Sequence, residues 1–309
     1  MRIVFWGTPD FARTMLHALL DSEHEVVGVV TQPDRPAGRG RRLQPPPVKE
    51  LASDAALPVL QPERPRGVEF VRALEALRPD ISVVAAYGHI LGPDLLELPP
   101  HGSINVHASL LPELRGAAPV NWAIIRGYAE TGVTIMRMVK AMDAGPIILQ
   151  SACTIESDET AGALLERLAR NGASALLESL SLLESGRARE LPQDDAAATY
   201  APKLFVKDAR IDWSLAAVEI DRWIRGCDPD PAAWSMLDDL RVRMFAPRPA
   251  PGDQVEPGSI LRADPRQGLE VAAGTGIVNI REVQPAGKRR MEAVEWIRGR
   301  GVRAGQRFR

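Results

Sequence analysis

The sequence predicts an α/β protein, a mainly parallel Rossmann-like sheet flanked by helices and followed by a second, smaller β-barrel domain. Three observations carry this. Short, continuously apolar runs alternate with stretches of helical periodicity up to about residue 185. A polar stretch then intervenes, and beyond it short β-like runs replace the long helices. The 309 residues are about twice the size of an ordinary domain, so two separate cores have room to form.

In chain order, residues 2 to 6 form a short apolar run ended by Gly7-Thr8-Pro9-Asp10, and Phe11, Met15 and Leu19 follow at helical spacing, with Pro9 suited to a helix start. Val26–Val30 is a second buried strand. Later runs at Pro58–Leu60, Ile81–Ala86, Ser103–Val106 and Val133–Met138 alternate with helical stretches at 67–77 and 117–126. Ser157-Asp158-Glu159 opens an Ala- and Leu-rich helix to about 185. The expected division is a first domain over 1–186, a linker over 187–205 and a barrel domain over 206–309, with β-like runs near 241–245, 258–262, 268–272 and 276–284.

Composition narrows the classes of function. The chain is 45% hydrophobic and 25% charged, and no apolar run approaches the roughly 18 residues of a spanning helix, which makes a cytoplasmic location the expectation. The net charge of −2 means that any polyanionic partner must be met by a local basic patch. Cys153 and Cys227 lie far apart, outside any CxxC spacing, and read as inert buried thiols. No His pairing has metal-ligand spacing, so no metal is expected. Gly7-Thr8-Pro9 lacks the GxGxxG pattern of a dinucleotide site.

In open α/β sheets ligands bind at the carboxyl ends of the strands. Asn105 and His107 alternate with apolar neighbours at one such end, so both project to one face roughly 6 to 7 Å apart. Asp143 sits in Met142-Asp143-Ala144-Gly145-Pro146, between two strand-like runs, where an Asp is also an ordinary turn former. An amide, an imidazole and a carboxylate suffice for oxyanion stabilisation and proton transfer without a covalent nucleophile.

Longer motifs surround these three residues. Asn105–Pro112, Arg115-Gly116-Ala117-Ala118-Pro119, Glu130–Met136 and Asp143-Ala144-Gly145 together resemble the core of the formyltransferase superfamily. Phe5–Phe11, Thr31–Gly40 and Gln284–Lys288 extend the resemblance over nearly the whole chain, toward the branch that acts on aminoacyl-tRNA. The resemblance implies a formyltransferase fold with an OB-like second domain and transfer from N10-formyltetrahydrofolate to the α-amine of initiator methionyl-tRNA. Asn105, His107 and Asp143 match its catalytic trio. Ser109, Leu110, Leu111 and Pro112 match its folate-binding segment, and Tyr87, Gly88, His89, Ile90 and Leu91 match a second stretch lining the pterin pocket. Ala108 stands where the family often has Gly, and Pro229-Asp230-Pro231 where it has Pro-Trp-Pro. The rival implied by the same core is formylation of a sugar-nucleotide amine or other small amine.

The basic patches have natural candidates. The segment 31–49 reads as a long irregular connection carrying Arg35, Arg39, Arg41, Arg42 and Lys49 against Asp34 alone, and a second cluster includes Lys288, Arg289 and Arg290. Without the resemblance the first reads as a solvated loop, and the second stays open between a solvated terminal surface and a phosphate-contacting one. With it, they are the expected tRNA contacts, reaching phosphates and bases. On this reading the Asn105 amide and a protonated His107 receive the developing oxyanion, and Asp143 partners His107 and carries the amine proton toward the leaving nitrogen. A monomer is expected.

Overall fold

A computed structural model describes residues 1–37 and 42–309, and its chain divides into two compact units. The first comprises Met1–Pro119, Glu130–Thr154 and Leu165–Ala201; the second comprises Val120–Ala129, Ile155–Leu164 and Pro202–Arg309. Among the described residues no helix is long and apolar enough to cross a membrane.

The first unit is built on a seven-stranded sheet. Its strands are β1 (Arg2–Gly7), β2 (Glu25–Val30), β5 (Val59–Leu60), β6 (Ile81–Ala85), β7 (Ser103–His107), β8 (Glu130–Arg137) and β9 (Ile147–Thr154). Residues 3–6 and 81–85 are buried throughout, as strands covered on both faces require. The order is β5-β2-β1-β6-β7-β8-β9, with β8 antiparallel to both neighbours, so it alone runs against the others. The chain works outward from β1 and then returns to place β6 on its other side. That switch point is where such sheets bind ligands.

Helices cover the faces. Pro9 precedes α1 (Asp10–Leu20), whose Phe11, Ala12, Met15, Leu16 and Leu19 form one buried stripe. Gly28 lets α3 (Val68–Leu77) sit close to β2, because a Cβ there would lie 2.7 Å from a Leu77 methyl. Leu95 and Leu96 of the short α4 (Pro93–Leu96) are also buried. The connection over 31–49 is not irregular as expected. It carries the two-stranded β3 (Arg35–Ala37) and β4 (Arg42–Gln44), and α2 (Pro47–Asp54) starts with Pro47 in its first turn, where the missing N–H costs nothing. Arg39 and Arg41 lie outside the described residues.

The Ala- and Leu-rich helix, α6 (Ala161–Glu184), begins later than its Ser-Asp-Glu sequence suggested. Thr160 Oγ1 accepts the amide of Ala163 at 3.3 Å, while Glu159 Oε2 accepts the amide of Glu156 in a turn before the helix. After α6, residues 188–201 return along the first unit, where Leu191 pairs with Ile147 and Ala201 exchanges backbone hydrogen bonds with Arg115 and Ala118.

The second unit holds α5 (Pro119–Ile125, from Val120 on), α7 (Ala217–Gly226), α8 (Ala293–Arg298) and a curled antiparallel sheet. The sheet order is β10 (Trp234–Leu237), β11 (Leu240–Ala250), β14 (Ile277–Pro285), β13 (Gly268–Ala272) and β12 (Ile260–Asp264), with β15 (Met291–Glu292) beside β14. Alternate residues Val242 and Met244 of β11 and Val278 and Ile280 of β14 face a core shared with Ile220 and Ile224 of α7 and Trp296 and Ile297 of α8. Trp213 stacks on Phe308 at 5.8 Å, and the last residues join the sheet through reciprocal hydrogen bonds between Met236 and Arg309. Cys227 is buried here, whereas Cys153 on β9 is only partly buried and departs from the expected inert core thiol.

Candidate active site

At the switch point Thr8 Oγ1, just after β1, donates to Tyr87 O at 3.2 Å, just after β6. Gln32 Nε2 donates to the same carbonyl at 3.2 Å. Gly88 follows with φ +90°, a conformation that glycine adopts without a Cβ penalty. The Tyr87 ring packs edge-on against Trp6 at 5.3 Å and against His89 at 5.6 Å. Burial pushes its phenol up to about 12, so the hydroxyl keeps its proton. Among the described residues Tyr87 Oη and His89 Nε2 are buried without a hydrogen-bond partner, while Ile90 is 87% exposed and Leu91 is buried.

The neighbouring strand supplies the amide and the imidazole. Asn105 lies between Val84 of β6 and Met136 of β8, and His107 lies opposite Thr134. Among the described residues the Asn105 carboxamide has no hydrogen-bond partner. His107 is buried, and its Nε2 lies 3.0 Å from Leu114 O. A carbonyl oxygen only accepts, so Nε2 carries a proton and is committed to that bond. Nδ1 is therefore the nitrogen free for chemistry, and it faces Asp143 Oδ2 at 3.8 Å.

Asp143 sits between β8 and β9 with φ +52°, left-handed backbone that is uncommon for a residue with a Cβ. Its Oδ2 accepts the Gly116 amide at 2.8 Å. Two residues on, the chain crosses the end of β8 so closely that a Cβ on Gly145 would lie 1.9 Å from Arg137 O. Gln193 Nε2 donates to the Asp143 and Gly145 carbonyls at 2.9 and 2.8 Å.

The segment 109–112 is held by one threonine and one glutamine. Thr134 Oγ1 donates to Ser109 O at 2.6 Å and accepts from Leu111 N at 3.1 Å, and Gln150 Nε2 donates to Leu111 O at 2.9 Å. Ser109 Oγ turns inward to Glu113 O at 2.6 Å, and the Leu111–Pro112 bond is cis. Leu110 approaches Gly132, where a Cβ would lie 2.6 Å from its methyl. Thr134 falls inside the Glu130–Met136 motif without being singled out there, and Gln150 and Gln193 carry no signal in the sequence. The first two lie on strands that pair beside His107, a relation set by register. Gln193 belongs to no local pattern.

The basic residues divide by what they already hold. Lys49 Nζ bridges both Asp34 oxygens at 2.7 and 2.8 Å, and Arg35 donates to Gln32 Oε1 at 3.2 Å. Arg42 lies on β4. Arg290 grips Asp228 with two nitrogens, reaches Glu282 at 2.5 Å and stacks over Phe245 at 3.9 Å. Arg289, by contrast, has a side chain 76% exposed and only a 3.3 Å contact with Glu295, and Lys288 is exposed. Among the described residues no group of three or more His, Cys, Asp or Glu is placed to hold a metal ion.

Comparison with known proteins bears on the whole chain. The pattern of the family described as formyl transferase matches residues 1–180, and that of the formyl transferase C-terminal domain matches residues 203–301. The methionyl-tRNA formyltransferase of Desulfotalea psychrophila is 49% identical over 305 residues, covering 98% of this chain and 94% of that protein. Its counterpart from Desulforamulus reducens is 47% identical, covering 99% and 96%. Among solved structures, HypX from Aquifex aeolicus in complex with tetrahydrofolic acid superposes with a TM-score of 0.68 at 18% identity, covering 96% of this chain and 46% of that one. The sugar 3N-formyl transferase WlaRD gives 0.68 at 16%, covering 94% and 99%. Those two likenesses establish the shared fold.

Proposed function

The chain belongs to the formyl transferase family, and we propose that it transfers the formyl group of N10-formyltetrahydrofolate to the α-amine of initiator methionyl-tRNA, in the cytoplasm. Identity of 49% and 47%, running almost end to end through relatives of that name, is the observation that carries this reading. The sugar-amine alternative has support only from distant likenesses such as the 16% identical WlaRD.

The first unit fits a folate. Tyr87 Oη and His89 Nε2 are buried polar atoms in want of partners beside the exposed Ile90, a suitable wall for a flat heterocycle with polar edges. When bound, the folate supplies an amide-like formyl carbonyl. A free α-amine titrates at about 7.7 to 8.0, and esterification of the adjoining carboxyl lowers that, so the nucleophile needs little activation. The demanding part is charge developing on the formyl oxygen. The unpartnered Asn105 amide is one donor, and His107 Nδ1 is the other when it carries a proton, since Nε2 is held by Leu114 O. Asp143 Oδ2, 3.8 Å from Nδ1, balances that charge and accepts the amine proton on its way to the departing nitrogen.

The test is direct. The protein is incubated with methionyl-tRNA and N10-formyltetrahydrofolate, and formyl-methionine is sought after release by mild base. Formylation of the aminoacyl-tRNA is the expected result. Absence of product from protein that still binds the folate, with turnover of a sugar-nucleotide amine instead, would move the assignment to the alternative.

A further inference from the structure

Gln193 lies outside every motif described above, yet its side chain is fully engaged. Its Oε1 accepts from Arg115 Nε at 3.1 Å and Nη2 at 2.7 Å, and its Nε2 donates to the carbonyls of Asp143 and Gly145 at 2.9 and 2.8 Å. The arrangement fixes which end of the amide is which, because guanidinium nitrogens can only donate and carbonyl oxygens can only accept. Arg115 is 4% exposed, and the next residue, Gly116, gives its amide to Asp143 Oδ2. Arg115, Gln193 and the 143–145 turn thus form a closed circuit that ends on the carboxylate facing His107.

We propose that Gln193 is a positioning residue for the formyl transfer, clamping the 143–145 turn so that the Asp143 carboxylate meets His107 Nδ1. The proposal rests on the catalytic reading of Asp143. The turn needs holding: residue 143 is left-handed at φ +52° although it carries a Cβ, and such a conformation persists only where its surroundings enforce it. The two carbonyls that Gln193 binds, at 143 and 145, span the turn on the C-terminal side of that residue. Loss of the clamp releases the carboxylate toward other rotamers, and displacement of a reacting group by about 1 Å can cost about a hundredfold in rate. Neither substrate touches Gln193 in this scheme, so binding is spared.

The decisive variant is Gln193→Glu. Its carboxylate keeps the partner of the buried Arg115 guanidinium, so the fold is retained, but it has no proton to give the two carbonyls and repels them. Steady-state kinetics with methionyl-tRNA and N10-formyltetrahydrofolate should show kcat lowered at least about tenfold, with both KM values within about twofold of wild type, in protein that circular dichroism shows to be folded at the assay temperature. Gln193→Ala should show the same kinetic split in its folded fraction. Wild-type kcat in folded Gln193→Glu would overturn the proposal, as would a loss confined to Gln193→Ala that follows its unfolding. Failure of the wild-type protein to form any formyl-methionine is a separate outcome, and it would remove the functional reading on which the clamp depends.

Discussion

The division of labour at the site turns on single atoms. Leu114 O accepts a hydrogen bond from His107 Nε2, which leaves Nδ1 for Asp143 and for substrate. Asp143→Asn tests the charge alone, because the amide oxygen can still accept the Gly116 N–H that now binds Oδ2 at 2.8 Å. Turnover should fall by roughly a hundredfold to ten-thousandfold, the range typical of general acid–base groups, with folate affinity near wild type in a fluorescence titration. Survival of turnover would end the assignment. Elsewhere, burial pushes the Cys227 thiol up to about 12. The thiolate is the reactive form, so at pH 8 a disulfide exchange reagent should leave Cys227 unmodified until denaturant is added. Much at this scale was legible: the two-residue spacing of Asn105 and His107 put them on one face, and Asp143 before Ala-Gly-Pro marked a turn at a strand end. Gln193 was not, because its role exists only once residues 188–201 fold back onto Arg115 and the 143–145 turn, a contact with no local signature.

Elements were legible where burial dictates composition. The runs at 3–6, 26–30 and 81–85 are strands because both faces of the sheet are covered, and a strand so placed is apolar at nearly every position, with the buried Ser82 as an exception. The reversed direction of β8 could not be read, since an apolar run looks the same in either sense. Nor could the hairpin within 31–49, which has too few residues for a period to register. The barrel strands of the second unit alternate inward and outward, and the C-terminal tail completes their core: Phe308 is 1% exposed, stacks on Trp213, and donates its amide to Gly258 O at 2.9 Å. Gly258, at φ +85°, admits this approach because a Cβ would lie 2.4 Å from Phe308 O. Phe308→Ala should therefore cost about 3 to 5 kcal/mol of stability, read as a lower denaturation midpoint for the second unit. A midpoint within error of wild type would show that the tail adds nothing to that core.

At the scale of the molecule the puzzle is how a chain of net charge −2 attracts a polyanion. Local clusters resolve it only if their charges are free, and the structure separates those that are from those that are not. Lys49 already pairs with Asp34, and Arg290 with Asp228, Glu282 and the Phe245 ring, so each neutralises carboxylates of its own unit. Lys288 is exposed, and Arg289, 76% exposed, is tethered by a 3.3 Å ion pair with the partly exposed Glu295. We expect the pair Lys288→Ala and Arg289→Ala to weaken tRNA binding and to reduce the slope of log K against log salt by about one for each phosphate that is no longer neutralised, with formyl-folate affinity unchanged. Arg290→Gln should instead lower thermal stability and leave the salt slope alone, because removing it strands the buried Asp228 carboxylate. In the first unit, replacing Arg41 and Arg42 by Ala should raise KM for the tRNA substrate while any slow hydrolysis of formyl-folate persists at its wild-type rate. Equal loss of both activities would mean that this segment supports the folate site and has no part in choosing the acceptor.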